Sequence, residues 1–177
     1  MRQTKKNVSP MSNEGRNAYV IDRLTSTCLQ LLEEKPLSYI SVSQLCDQAG
    51  VGRASFYRNF TAREDILKNH IRRLFSGWIR EYDTGSDKSL NRLVFLIFSH
   101  FESHREFYEL LSQRNLIYLL KDMILELCGP KPEEEKMEAY TKAFVSYALY
   151  GWIEVWFQRG MKETAREMAL LFQSRGL

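Results

Sequence analysis

Residues 41–60 carry the side chains of this chain that could make specific polar contacts with another molecule. They read SVSQLCDQAGVGRASFYRNF, two short stretches of helical periodicity joined by Ala49-Gly50-Val51. Glycine readily adopts the left-handed conformation that ends one helix and turns the chain into the next. The pattern therefore predicts a helix-turn-helix.

The pair of helices has two chemically different sides. Four apolar residues are expected to be buried: Leu45, Val51, Phe56 and Phe60. The other side is small, polar and basic: Arg53, Ala54, Ser55, Tyr57 and Arg58. In a DNA major groove a guanidinium donates to guanine, a methyl group contacts thymine and hydroxyls hold phosphates. This face predicts binding to double-stranded DNA, and an ordinary solvated helical hairpin is the alternative.

Catalytic and metal chemistry find little support in the sequence. It contains no GxSxG motif, no phosphate-binding glycine loop and no cysteine with a suitably placed histidine, so no enzyme is predicted. His100 and His104 have the spacing of two metal ligands on one helix face. Ser103 is expected to start a new helix between them and no third ligand follows, so neither a metal nor a cofactor is predicted.

Composition places the chain among ordinary globular proteins. Its 177 residues are 44% hydrophobic and 27% charged, which excludes disorder and collagen-like repeats. The longest apolar run, 93–98, is far shorter than the ~20 residues of a membrane span, so no membrane partner is predicted. No apolar stretch follows the basic N-terminal residues, and a cytoplasmic location is expected. The three cysteines are odd in number and far apart, which favours buried, reduced thiols.

Helical periodicity runs through the whole chain, interrupted by turn-forming residues at 83–87 and 129–132. Capping-box spacing marks three helix starts, at Ser41, Ser103 and Thr164. The fold is therefore predicted to be all-α with about nine helices: 15–34, 42–49, 53–59, 63–82, 88–102, 104–112, 115–128, 133–159 and 164–175.

Residues 15–82 resemble the DNA-binding domain of TetR-family transcriptional regulators. The likeness is carried by AGVGRASFYRNFTAREDIL, residues 49–67. That family has a turn glycine, a tyrosine closing the recognition helix, an aromatic residue three positions later, and a basic residue with Glu opening the fourth helix. The matching positions here are Gly50, Tyr57, Phe60, Arg63 and Glu64.

The resemblance implies a role for each matching residue. Four would face bases: Ser43, Arg53, Ala54 and Ser55. Four would hold the phosphate backbone: Ser41, Tyr57, Asn59 and Arg63. Three positions depart from the family pattern, with Gly52 in place of a capping Ser or Thr, Arg63 in place of Lys, and Cys46 in place of Ala.

The resemblance also implies a domain order. Residues 1–14 would be a disordered basic tail with Arg2, Lys5 and Lys6, whose contact with DNA is the alternative. Residues 15–62 would form the helix-turn-helix domain, and residues 63–177 a domain that binds an effector and dimerises. Lys and Arg outnumber Asp and Glu in residues 1–82, and the reverse holds in 83–177. This asymmetry suggests a polyanion contact at the N-terminal end.

The predicted helix 133–159 is apolar on two sides. One stripe is Tyr140, Phe144, Tyr147, Gly151 and Val155, and the other is Val145, Leu149, Ile153 and Phe157. A small domain can cover one stripe, so the second predicts a homodimer. In the TetR family the last two helices pair with their twins. The dimer interface is predicted at Tyr147, Gly151, Trp152, Val155, Met168, Leu171 and Phe172, with packing inside one subunit as the alternative for Trp152 and Trp156.

Aromatic residues are dense from the predicted helix 63–82 to the turn-forming residues at 129–132. In the family such residues line a pocket for an effector, and the candidates are Phe75, Trp78, Phe98, Phe101, Tyr108 and Tyr118. An apolar or aromatic small molecule would suit them, although plain core packing is the alternative. The sequence does not identify the effector.

The resemblance implies a homodimeric regulator on a palindromic operator. An effector would change the spacing of the two recognition helices and so the affinity for DNA. Repression is the commoner outcome in the family. Residues 150–164 also resemble the DhaS-like subgroup, which includes activators. A helical module that binds a protein partner is the alternative from another class.

Overall fold

A computed structural model describes residues 13–174, and over this range the protein is all-helical, as predicted. The described residues form nine α-helices and a short 3₁₀ helix, with no strand. The α-helices are α1 (Asn13–Glu34), α2 (Val42–Ala49), α3 (Arg53–Asn59), α4 (Arg63–Thr84), α5 (Leu90–Ser103), α6 (Arg105–Gln113), α7 (Tyr118–Cys128), α8 (Lys136–Gln158) and α9 (Ala165–Gln173); the 3₁₀ helix is Leu37–Tyr39. Arg2, Lys5 and Lys6 of the predicted tail lie outside the described residues.

The chain divides into two compact units, Met1–Ile66 and Leu67–Leu177, and the division falls in the first turn of α4. In the first unit, Leu24, Cys28 and Leu32 recur along α1 and are fully buried. Residues three and four apart share one face of a helix, so α1 presents a single apolar side to α2 and α3. The helix-turn-helix, α2 and α3, packs against this apolar side of α1.

In the second unit, α5 packs against α9 and α7 packs against α8. The core is strongly aromatic: the rings of Phe98 and Trp156 lie 5.4 Å apart and those of Phe101 and Tyr108 4.6 Å apart, both edge to face. Such offset geometry is the arrangement that aromatic rings favour over face-to-face stacking. Burial of these large rings makes the second unit a well-packed scaffold.

The two apolar stripes predicted for α8 differ in burial. Leu149, Ile153 and Phe157 are buried inside the second unit. Four residues of the other stripe remain exposed: Tyr140, Phe144, Tyr147 and Val155. The helix itself begins at Lys136, later than predicted, because the carboxylate of Glu134 accepts from the backbone N–H of Lys131 and binds the ammonium group of Lys142.

One of the three predicted helix starts is wrong. Ser103 is the last residue of α5, and its hydroxyl donates to the carbonyl of Ser99 at 2.8 Å instead of capping α6. Serine inside a helix can bond to the preceding turn in this way. Thr164 and Glu167 do form the complete capping box at α9, and Ser41 caps α2.

Candidate nucleic-acid interface

The turn between α2 and α3 is built from local signals. Ser41 begins α2 with a hydroxyl that accepts from the backbone N–H of Gln44 at 3.1 Å. Gly50 ends the helix at φ 68°, in the left-handed region, and the backbone N–H of Val51 then bonds to the carbonyl of Cys46 at 3.0 Å. These contacts complete the predicted helix-turn-helix and fix the point from which α3 departs.

Aromatic packing fixes the rotation of α3. Phe56 is fully buried, and its ring meets Phe60 at 5.8 Å and Tyr57 edge to face at 5.2 Å. Leu45 and Phe60 are buried as predicted, whereas Val51 is only half-buried. With this side held in the core, the opposite side of α3 must face solvent.

The exposed side of α3 is the basic, hydroxylated face that the sequence predicts. Arg53, Ala54, Tyr57 and Arg58 are exposed, and Ser55 is half-buried. Arginine forks donate to guanine edges, and small residues let the helix approach the bases closely. The arrangement is chemically suited to a major groove.

Two residues predicted to contact phosphates, Asn59 and Ser41, also form hydrogen bonds within the protein. The side-chain amide of Asn59 donates to the carbonyl of Ser55 at 2.9 Å and closes the end of α3. Ser41 accepts a hydrogen bond as a helix cap, and its own hydroxyl hydrogen can still be donated to a phosphate oxygen. Ser43 is half-buried on α2. Their contacts with DNA stay predictions.

Arg63 is the residue whose position differs most from its predicted role. It is half-buried, and its Nη1 donates to three carbonyl oxygens of the preceding loop: Leu37 at 3.0 Å, Ser38 at 3.3 Å and Ile40 at 2.5 Å. These carbonyls belong to the 3₁₀ helix and the residue that follows it. Arg63 therefore holds the entry to α2, and any phosphate contact is made by the same guanidinium that keeps this loop in place.

Sequence reasoning missed several residues beside the recognition helix. Arg16 and Tyr19, near the start of α1, line a concave groove of about 660 Å³ together with Ser55 and Arg58 of α3. Their spacing in α1 gives no signal, because only the packing of α1 against α3 brings them there. Tyr39 is 75% exposed in the 3₁₀ helix.

Two sequence profiles match the chain. One is described as bacterial regulatory proteins, tetR family, and matches residues 24–69; the other is described as transcriptional regulator C-terminal region and matches residues 89–174. The chain belongs to the TetR family. It is thus a DNA-binding transcriptional regulator, of a family whose members are generally not enzymes.

Solved structures share the fold of this TetR-family regulator. Lin0861 from Listeria innocua is 18% identical, with a TM-score of 0.71 over 95% of this chain and 94% of its own. The fatty acid degradation regulator FadR from Bacillus halodurans is 15% identical, with a TM-score of 0.54 over 88% of this chain and 91% of its own. No curated protein matches the chain.

The predicted effector residues of the TetR-family regulator do not form one pocket. Phe75, Phe98, Phe101 and Tyr108 are buried in ring-to-ring contacts, which is core packing. Tyr118 is 52% exposed at the start of α7 and lines a different, small concavity, so its role toward an effector stays a prediction. Trp78 lines a separate cavity with residues of α5, α7 and α8.

Some of the predicted dimer residues are exposed in the structure and others are buried. Tyr147, Val155 and Leu171 are exposed, and Gly151 and Trp152 are partly exposed. Met168 and Phe172 are buried within their own unit: the Phe172 ring packs edge to face on Trp152 at 5.4 Å, and Met168 lines the groove between α8 and α9. Their part in an interface stays a prediction. The residues of the set on α8, together with Leu171 of α9, thus remain accessible to a partner.

His100, Cys28 and Cys128 are surrounded by protein, and their burial determines their chemistry. His100 is buried, and its Nε2 forms a hydrogen bond with the Tyr108 hydroxyl at 2.7 Å. Burial raises the pKa of Cys28 to about 12 and that of Cys128 to about 11, so both thiols stay protonated near neutral pH. Within residues 13–174 no group of His, Cys, Asp or Glu side chains could hold a metal ion, and no helix has the length and apolar character needed to cross a membrane.

Proposed function

We propose that this TetR-family regulator acts as a homodimer on a palindromic operator, that it represses transcription, and that a small molecule changes its affinity for DNA. The observation that carries the proposal is the orientation of α3. Its aromatic side is buried through Phe56, and its basic, hydroxylated side is exposed around Arg53.

The residues of α3 divide into two expected tasks. Arg53, at the first position of the helix, is suited to donate to a guanine edge, while Ala54 and Ser55 allow close approach to the bases. Tyr57 and Arg58, farther along, are suited to hold phosphate oxygens. Residues of the first kind would set sequence preference, and those of the second kind would set affinity for any DNA.

The exposed stripe of α8 supports a dimer. Tyr140, Phe144, Tyr147 and Val155 continue into an apolar groove of about 470 Å³ between α8 and α9, lined by Trp152 and other residues. A row of large apolar side chains left exposed on one helix face is typical of protein interfaces. A second copy is the partner with a matching stripe, since a two-fold interface places the same patch on both chains.

A two-fold dimer would present two α3 helices related by symmetry. Such a pair reads two half-sites whose centres are about one helical turn, or a multiple of one turn, apart. An effector would regulate this dimer only if it bound one arrangement of the two recognition helices more tightly than another.

A footprint on the DNA upstream of the protein's own gene tests the proposal. The expected result is two protected half-sites with inverted-repeat sequence, and an affinity that falls steeply as salt increases, because bound phosphates release counterions. A protein that protects no site, or whose retention of DNA does not depend on salt, would instead favour a helical module that binds a protein partner.

A further inference from the structure

We infer that Arg105 positions the interface between two copies of this chain by fixing the turn that joins α8 to α9. Because the groove between α8 and α9 is taken as part of the dimer interface, this role of Arg105 rests on the proposed function. Arg105 is assigned as a positioning residue, which acts on the groove through the turn.

The turn between α8 and α9 has an uncommon backbone conformation. Gly160 and Met161 follow each other in the left-handed region, at φ 76° and φ 49°. Glycine adopts this conformation readily, whereas a residue with a side chain is rarely found there. Met161 is also buried. Contacts with other parts of the second unit must therefore hold the turn in this shape.

Arg105, the first residue of α6, supplies two such contacts. Its Nη2 donates to the carbonyl oxygens of Gly160 and Met161, each at 2.7 Å, although these residues lie 55 and 56 positions later in the chain. Its Nε donates to the Glu109 carboxylate at 2.7 Å, and this ion pair within α6 orients the guanidinium. Hydrogen bonds from a charged donor are stronger than those between neutral groups. One cationic group thus joins both left-handed residues to α6.

A second contact ties the same connection to the end of α5. The carboxylate of Glu102 accepts from the backbone N–H of Ala165, the first residue of α9, at 3.3 Å. A carboxylate is favourable at a helix N-terminus, where the backbone N–H groups have no partner within the helix. Glu102 and Arg105 lie on either side of the corner between α5 and α6. This corner therefore holds both the turn and the beginning of α9.

The turn affects the groove because it joins the two helices that form it. The groove measures about 470 Å³, and its lining includes Trp152 of α8 and Leu171 of α9, with Arg159 and Glu163 of the turn. Arg105 lies outside this lining, so it alters the groove by way of the turn. A change in the angle between α8 and α9 would alter the surface that a second copy must match.

Sedimentation of the full chain over a range of concentrations tests this role. Arg105→Ala should raise the dissociation constant of the dimer about 10-fold or more, because both carbonyls lose their charged donor. Arg92→Ala is the matched control: Arg92 is an ion-paired arginine of α5 with similar exposure, and its loss should leave the dissociation constant as in the wild type. A residue that only stabilised the fold would lower the unfolding free energy without changing this constant.

Oxidation of Met161 reports on the turn independently of the dimer. Hydrogen peroxide oxidises the methionine thioether to the sulfoxide, and burial slows the reaction because it excludes the oxidant. We expect Met161 to oxidise about 5-fold or more faster in Arg105→Ala than in the wild type or in Arg92→Ala, because the turn opens locally more often. Mass spectrometry of peptides measures the rate, with buried Met123 of α7 as the internal reference.

Arg105→Gln keeps the inference testable if Arg105→Ala does not fold. Glutamine removes the charge but retains an amide donor, so both readouts should change in the same direction to a smaller degree, with circular dichroism unchanged. A dissociation constant equal to that of the wild type in Arg105→Ala, or in Arg105→Gln where the alanine variant is unfolded, would overturn the inference, even if Met161 oxidises faster. A wild type that sediments as a monomer at every concentration would instead overturn the proposed dimer, and the role of Arg105 with it.

Discussion

The guanidinium of Arg63 donates from Nη1 to the carbonyl oxygen of Ile40 at 2.5 Å, one residue before the helix cap Ser41. The same nitrogen reaches the carbonyls of Leu37 and Ser38. A planar guanidinium can serve several acceptors while holding a fixed orientation. The first residue of α4 thus sets the position of the loop that leads into α2.

Arg63→Ala should therefore lower both stability and DNA binding. Loss of charge-assisted hydrogen bonds to the 3₁₀ helix is expected to cost about 1 to 3 kcal/mol of unfolding free energy, measured by urea denaturation. DNA binding should weaken to a similar degree for all sequences. Arg63→Lys keeps the charge but loses the forked geometry of the guanidinium. Its stability and DNA affinity should lie between those of the wild type and of Arg63→Ala. Unchanged stability with weakened DNA binding would show that Arg63 acts only on phosphate.

Gly52 allows a stabilising change at the start of α3. It occupies the cap position with φ −72°, makes no side-chain cap bond, and has open space where a Cβ would lie. Gly52→Ser should raise the unfolding free energy by about 0.5 to 1 kcal/mol, through a cap and a less flexible unfolded chain. Gly50→Ser is the matched control: at φ 68° it should destabilise by ~1 kcal/mol. Equal effects of both substitutions in urea denaturation would show that backbone conformation does not distinguish the two glycines.

The helix-turn-helix could be predicted from the sequence because it is determined by interactions between residues close together in the chain. The helix-turn-helix depends on Ser41, Gly50 and Phe56, whose contacts lie within a few residues of each other along the chain. The structural role of Arg63 could not be predicted, because its acceptors lie 23 to 26 residues earlier. The prediction for Ser103 is wrong because α5 extends through that residue, whose hydroxyl bonds to the carbonyl of Ser99, and α6 begins only at Arg105.

Glutamate in the exposed stripe of α8 should separate the proposed dimer. Phe144→Glu and Val155→Glu would each place a charge where apolar surface is expected to be buried between copies, which is strongly unfavourable. Sedimentation of each variant should show a monomer at concentrations where the wild type is a dimer. Tyr118→Glu, at an exposed tyrosine on α7, is the control and should sediment like the wild type. A Phe144→Glu protein that stays dimeric would place the interface elsewhere.

The residues predicted at the dimer interface show what helical periodicity cannot predict. Spacing places Met168 and Phe172 on one face of α9, but it does not say which neighbour covers that face. In the structure α9 packs on α5, and Phe172 contacts Trp152 of α8, so both residues are used within one chain. Only tertiary packing separates them from Leu171, which stays exposed.

His100 should make the fold sensitive to acid. Burial, with a smaller contribution from His104, lowers the pKa of His100 from about 6.5 to about 3. In the interval between these values the unfolded chain binds a proton that the folded chain excludes. Stability is therefore complete above pH 6.5 and falls as the pH decreases, by up to ~1.4 kcal/mol per pH unit for this group.

Urea denaturation at pH 7.5, 6 and 5 measures this dependence. His100→Gln removes the titrating group and should reduce the loss of stability between pH 7.5 and 5, whatever its effect at neutral pH. His104→Gln should retain most of the loss. An identical pH dependence in wild type and His100→Gln would show that the folded protein accepts the proton on His100.

The most direct test of DNA recognition by α3 compares two arginines on the upstream DNA fragment. Arg53→Ala should cost about 1 to 3 kcal/mol in fluorescence anisotropy titrations and relax base preference at one position of each half-site. Arg80→Ala removes the same charge from the exposed surface of the second unit and should leave affinity and preference as in the wild type. Equal binding and equal base preference of the Arg53→Ala protein and the wild type would contradict the assignment of α3 as the helix that reads DNA.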